Sequence, residues 1–218
     1  MVINGNNMNF IEFKRRFQNR PLILSRDVVQ MAKNPQAMRN QLSRWQKKGL
    51  LIGLRKGVYM LSPHDRRIDI DNQVIANRLY EPSYLSLEYA LNFYGLIPEK
   101  VVDLTSVTTR KTMRFKNESG HFIYQHIQPK AFRGFRKMGS EKNSFFMAEQ
   151  EKAVVDFLYL NLAQLTNNVK DVLENSFRFQ NIEELNKKRL IEFGKLFGSK
   201  KLMRVLKQLG QWIEEEQG

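Results

Sequence analysis

Cysteine is absent from this chain. That excludes disulfides, thiolate zinc sites and cysteine catalysis, and it is the usage expected in a reducing compartment. Histidine is scarce: His64, His121 and His126 are the three present. The last two stand five apart on a predicted strand and so on opposite faces, the wrong arrangement for a shared metal. No apolar stretch approaches the roughly 18 residues needed to cross a bilayer, so a membrane partner is not expected. There is no phosphate-cradling glycine loop, zinc signature or nucleophile elbow. The expectation is a chain with no cofactor, no metal, no catalytic residue and no enzymatic activity. The opening Met1-Val-Ile-Asn-Gly-Asn-Asn-Met8 lacks the basic and apolar regions of a signal peptide, and with the missing cysteine it points to the cytoplasm.

Acidic residues are also in short supply, 22 against 36 Lys and Arg, which leaves a net charge of +14 over 218 residues. The excess is not spread evenly. Residues 1–70 carry 14 basic and 4 acidic side chains, residues 71–99 carry 1 and 4, residues 100–142 carry 10 and 3, and residues 143–218 balance at 11 and 11. Basicity concentrated on a small N-terminal module is the footprint of nucleic-acid binding. The 42% apolar content is ordinary for a globular protein, and this length accommodates two modest domains.

Residues 22–61 carry the sharpest signal. Ser25 is placed to cap a short helix over 26–32, Lys33-Asn34 makes a turn, and Pro35 suits the first position of the next helix. On that second helix Met38, Leu42 and Trp45 recur at i, i+4 and i+7, one buried stripe. The opposite face carries Gln36, Asn40, Ser43 and Lys47, flanked by Arg39 and Arg44, the residue types that read base edges or clamp phosphates. Gly49 ends the helix. Two β-prone runs then meet across Arg55-Lys56-Gly57, a hairpin with cations at its tip. Helix, turn, helix and hairpin in this order predict a winged helix-turn-helix on double-stranded DNA, with Ser25, Arg26, Gln36, Arg39, Asn40, Ser43, Arg44, Lys47, Arg55 and Lys56 at the contact.

The expected class is α+β, with the winged module over 1–63 and an α+β domain over 64–218 holding a small antiparallel sheet and a helical C-terminus. A first helix over 9–18 turns Phe10, Phe13 and Phe17 inward, and the polar, Pro-containing 62–67 reads as a linker. Helices are expected over 71–80 and 83–93, with Ser83 as cap of the second. Strands follow over 102–109, 112–116 and 121–127. Further helices are expected over 149–165, 169–177, 182–193 and 199–216. The last has a clean apolar stripe, Leu202, Val205, Leu206, Leu209, Trp212 and Ile213, yet its ends are charged against the helix dipole. It therefore depends on packing, onto its own domain or a partner.

Two features leave alternatives open. Arg110, Lys111, Arg114 and Lys116, with Lys130, Arg133, Arg136 and Lys137 after them, form a secondary basic patch that extends a DNA footprint, binds RNA, meets an acidic protein or is simply solvated. Glu149, Glu151 and Lys152 admit a metal-dependent nucleic-acid-processing enzyme, although acids at a helix start are favoured by the dipole in any case.

A succession of motifs also carries a resemblance. Lys48-Gly-Leu-Leu-Ile-Gly-Leu-Arg-Lys-Gly-Val-Tyr59, Pro82-Ser-Tyr-Leu-Ser-Leu-Glu-Tyr-Ala-Leu91, Tyr94-Gly-Leu-Ile-Pro98, Thr105-Ser-Val-Thr-Thr109, His126-Ile-Gln-Pro129, Ala148-Glu-Gln-Glu-Lys-Ala153 and Asp156-Phe-Leu-Tyr159 together resemble the AbiEi antitoxin family over residues 10–160. The resemblance implies an antitoxin encoded beside an AbiEii-type nucleotidyltransferase toxin and linked to abortive phage infection. Its N-terminal winged domain would repress its own operon at operator inverted repeats, and its C-terminal domain would counteract the toxin, without a stable complex in the classical description of the family and by direct contact in some related pairs. Trp45 is bulkier than the aliphatic residue expected at its place. A standalone winged-helix regulator sensing another signal fits the same residues. Inverted repeats imply two copies on DNA, while no coiled-coil seam fixes a dimer.

Overall fold

The computed structural model describes residues 8–141, 143–165 and 168–217. They form an α+β protein of two compact units. The first runs to Leu79 and includes residues 115–120, and the second takes the remainder. The first unit therefore reaches past the boundary expected at residue 63. Residues 62–67 are not a free linker. Ser62 Oγ donates to Asp65 at 2.8 Å, Lys14 pairs with Asp65 at 2.8 Å, and the Arg67 amide donates to the Gln18 carbonyl at 2.8 Å. Burial pushes the Asp65 carboxyl up, but Lys14 and Ser62 outweigh it and hold the group below the ordinary carboxylate value.

Helix α1 (Phe10–Phe17) starts at a reciprocal cap. The Asn9 side chain accepts the Glu12 amide, and the Glu12 carboxylate accepts the Asn9 amide, satisfying two free donors of the first turn. Strand β1 (Ile23–Leu24), α2 (Ser25–Gln30) and α3 (Pro35–Lys47) follow, then the hairpin β2 (Leu51–Arg55) and β3 (Val58–Leu61), and α4 (Asn72–Leu79). The strands form a three-stranded antiparallel sheet in the order β1-β3-β2. Phe13, Phe17, Val28, Met38, Leu42, Trp45, Leu51 and Leu61 share one core. Trp45 finds room because aromatic rings surround it, with Phe13 and Phe10 at 4.8 and 5.4 Å between centroids.

Beyond the three-stranded sheet there is a six-stranded one, most of whose residues belong to the second unit, with residues 115–117 and 120 counting with the first. Its strands are β4 (Ser83–Leu85), β5 (Leu104–Thr108), β6 (Met113–Asn117), β7 (Gly120–His126), β8 (Phe135–Met138) and β9 (Phe145–Ala148), in the order β6-β7-β5-β4-β9-β8. The sheet is larger than the sequence led one to expect, and it is mixed: β5 runs parallel to β7 and β4 parallel to β9, while β4–β5 and β8–β9 are antiparallel. Helix α5 (Leu87–Phe93) starts later than expected because residues 83–85 are taken up as a strand. Ser83 is therefore no cap. α6 (Gln150–Leu160), the short α7 (Val169–Asp171), α8 (Lys187–Lys195) and α9 (Lys200–Gln217) complete the unit.

All six apolar residues named on α9 are buried, so this helix packs onto its own unit, chiefly against α8. Its unfavourable C-terminal acids are offset locally: Glu214 pairs with Lys187 at 2.7 Å and Glu215 with Lys170 at 2.8 Å. No helix among the described residues is long and apolar enough to cross a membrane.

Candidate nucleic-acid interface

Helix α3 is fixed on one side and open on the other. Asn34 caps it by accepting the Ala37 amide at 3.0 Å, and Pro35 occupies the first turn, where its missing N–H costs nothing. Met38, Leu42 and Trp45 are 1, 1 and 4% exposed. Gln36, Arg39, Asn40, Ser43, Arg44 and Lys47 are all exposed. Arg39, Arg44 and Lys47 have no ion-pair partner among the described residues, and Gln36 Nε2 donates to Asn40 Oδ1 at 3.2 Å. The sequence reading missed two more exposed cations at the ends of the same helix, Lys33 before it and Lys48 after it. They sit beside the polar stripe by simple adjacency, which the chain order already displayed.

The hairpin following α3 turns at Lys56 and Gly57. Gly57 sits at φ +77°, and a side chain there would meet the Ser25 hydroxyl at 2.9 Å, so glycine is required twice over. Lys56 is exposed at the tip. Arg55 is not. Its Nε donates to the Leu79 carbonyl at 2.7 Å and the residue is partly buried, which makes it a tie to the end of α4 rather than a tip cation. The role given to Ser25 also changes. Leu24 holds the capping position because its backbone is extended to pair with Val58. Ser25 is the first helical residue, and its amide donates to the Gly57 carbonyl at 2.9 Å. Arg26 is exposed and stands 3.4 Å from the Asp27 carboxylate.

The secondary basic residues do not form one patch. Arg110, Lys111 and Arg114 lie on or just before β6, and Lys116 on β6 counts with the first unit, whereas Arg133 and Arg136 lie at β8. The sheet order puts β6 and β8 at opposite edges with β7, β5, β4 and β9 between, about 24 Å apart at the usual strand spacing. Arg110 is also engaged, stacked 4.2 Å over the Tyr80 ring and donating to the Glu81 carbonyl at 3.2 Å. His121 and His126 are exposed. His121 faces Asp103 at 3.3 Å, and His126 Nδ1 lies 2.9 Å from the Arg110 carbonyl.

Glu149, Glu151 and Lys152 are committed to packing. Glu149 pairs with Arg189, Glu151 accepts the Asn186 amide at 3.2 Å, and Lys152 is fully buried against Asp156. The Asp156 carboxylate, also fully buried, accepts from Tyr84 Oη at 3.0 Å and Ser86 Oγ at 2.9 Å. Burial drives the Asp156 carboxyl up and the Lys152 ammonium down, each against the pull of the other, and it holds Tyr84 well above its ordinary value. Next to this network Thr105 Oγ1 donates to the Ser86 carbonyl at 2.7 Å and accepts the Tyr89 amide at 3.0 Å. Those bonds hold the strained turn in which Leu87, the first residue of α5, adopts φ +59°. Sequence reasoning did not see this network. The available signal was Lys152 and Asp156 at i, i+4, with Asp156 set inside the apolar run Ala153 to Leu160 of the helix, where a charge persists only when paired.

Several motif segments that carried the family resemblance, those around Tyr84 and Ser86, Thr105, Lys152 and Asp156, thus converge on one closed cluster. No protein-family model matches the sequence, and no curated protein matches it.

Proposed function

We propose that this chain is a DNA-binding antitoxin and autorepressor of the AbiEi type, with α2, α3 and the β2–β3 hairpin acting as a winged helix-turn-helix on operator inverted repeats. The second unit would counteract a nucleotidyltransferase toxin of the AbiEii kind encoded beside it. One observation carries the DNA reading. The polar and cationic stripe Gln36, Arg39, Asn40, Ser43, Arg44 and Lys47 is open to solvent on a helix whose other side is locked into a core. A solvated helix face needs no such separation of amides and cations from every acid. Arg44, Lys47 and Lys56 supply phosphate contacts, and Gln36, Arg39 and Asn40 lie in the first half of the helix, the part that meets base edges in such modules.

The antitoxin half of the proposal rests on the resemblance and on the convergence of its motifs in the second unit. A metal-dependent enzyme built on Glu149, Glu151 and Lys152 is disfavoured, because Lys152 has no exposed surface and both acids already hold partners.

The test is co-expression of the full-length chain with the product of the adjacent gene, alongside a reporter driven by the chain's own promoter. We expect growth rescue and repression by the wild type, and rescue without repression by an Arg39→Ala, Arg44→Ala variant. Failure of the wild type to rescue growth would remove the antitoxin assignment. Unchanged repression by the variant would remove the assignment of α3.

A further inference from the structure

Resting on the DNA reading above, we infer that Asn40, held in position by Gln36, reads an adenine in the operator half-site. The two amides stand at i and i+4 on the open face of α3, where side chains meet one above the other. Both are exposed, and Gln36 Nε2 donates to Asn40 Oδ1 at 3.2 Å. That bond occupies one of the two lone pairs on Oδ1. The second lone pair and both Nδ2 hydrogens of Asn40 remain free.

An acceptor beside a donor is the complement of one base edge. Adenine presents an N6 amino donor next to the N7 acceptor in the major groove, whereas guanine presents two acceptors, cytosine an amino donor, and thymine an acceptor with a methyl group. An unsupported exposed asparagine samples several rotamers and must give up that freedom on binding. The bond from Gln36 removes part of the freedom beforehand. Gln36 is therefore a positioning residue, and Asn40 makes the base contact. Arg39, one residue from Asn40 and without an acidic partner, is suited to a neighbouring guanine, which lets an arginine donate to both O6 and N7.

The experiment is selection from a randomised double-stranded DNA pool by the full-length wild type, followed by binding measurements on the selected site. In one series 7-deazaadenine, which lacks N7, replaces each adenine in turn. In the other the protein carries Asn40→Ala or Gln36→Ala. All three proteins are first compared by thermal melting, where these exposed positions should leave the midpoint unchanged. We expect an A·T pair in each half-site whose 7-deaza replacement weakens the wild type by between about 5- and 150-fold and leaves Asn40→Ala unaffected. Gln36→Ala should lose a smaller factor at that same base, and affinity for random duplex should stay within about twofold for both variants. Tight selection by the wild type, with Asn40→Ala keeping the same sequence preference or the same response to 7-deazaadenine, overturns the assignment while leaving DNA binding intact. Absence of any selection or binding refutes the DNA reading, and the assignment falls with it.

Discussion

Replacing Asp156 by alanine removes the acceptor on which three buried donors depend: the Lys152 ammonium, the Tyr84 hydroxyl and the Ser86 hydroxyl. Taking away one member of a buried ion pair leaves an uncompensated charge and costs about 3–5 kcal/mol. Each orphaned hydroxyl adds up to roughly 1–3 kcal/mol unless water enters the space left by the carboxylate. Because Lys152 lies nine-tenths or more out of solvent and is capped by the Phe197 ring at 4.7 Å, it cannot swing out to be hydrated. A loss of about 4 kcal/mol is a large share of the roughly 5–15 kcal/mol that holds a domain together. For a chain of this size it corresponds to a melting midpoint lower by about 8–16 °C. Calorimetry and urea unfolding of the full-length variant are the assays. The double replacement Lys152→Met, Asp156→Leu removes both charges at similar volume and should regain about half of the loss, since buried ion pairs exchanged for apolar groups are often neutral, leaving only the two hydroxyls unsatisfied. A cost below about 1 kcal/mol for Asp156→Ala, or a double variant worse than the single, would refute the picture of a closed network.

Trp45→Ala should cost about 3–5 kcal/mol, because the ring is almost wholly buried between Phe10 and Phe13. Denaturant unfolding checks this, and a loss under about 1 kcal/mol would contradict the core assignment. Arg39→Ala, by contrast, should leave stability within about 0.5 kcal/mol while weakening a base contact by about 1–3 kcal/mol, so the two variants separate scaffold from surface. At alkaline pH the folded Tyr84 hydroxyl, raised first by burial and then by Asp156, binds its proton more tightly than the unfolded tyrosine with its value of 10.0. The stability it contributes is present below about pH 10 and declines as pH rises toward the folded value. Tyrosinate absorbance should then show this group ionising only with unfolding, and Tyr84→Phe should flatten the alkaline limb. Ionisation of Tyr84 while the protein is still folded would contradict its burial.

Local signals in the chain mapped well onto the first unit. Phe13 and Phe17, the Pro35 start, the Met38, Leu42 and Trp45 stripe and the glycine at the hairpin turn each depend on neighbours a few residues away. The α9 stripe was legible for the same reason. What could not be read depends on distant partners. Residues 83–85 and 145–148 are too short to display a strand period, and they become strands through pairing with β5 and with each other. The sheet order that parts Arg114 from Arg136 is set by two parallel pairings no local pattern announces. Arg55 looked like a tip cation because nothing nearby in sequence reveals the Leu79 carbonyl. The region 182–193 read as one helix, yet it breaks into a single 3₁₀ turn at Ile182–Glu184 and α8, where Asn186 caps the new start by accepting the Arg189 amide at 3.2 Å.

The most direct test of DNA reading by the α3 face is fluorescence anisotropy of the full-length protein on the duplex upstream of its own gene, against a scrambled duplex of equal length. The two are titrated side by side at several salt concentrations. We expect the promoter to bind at least about 10³-fold more tightly at physiological salt, with an affinity that falls steeply as salt rises. That preference should shrink in the Arg39→Ala, Arg44→Ala variant. Equal affinity for the two duplexes, or a preference untouched by losing both arginines, would contradict the assignment.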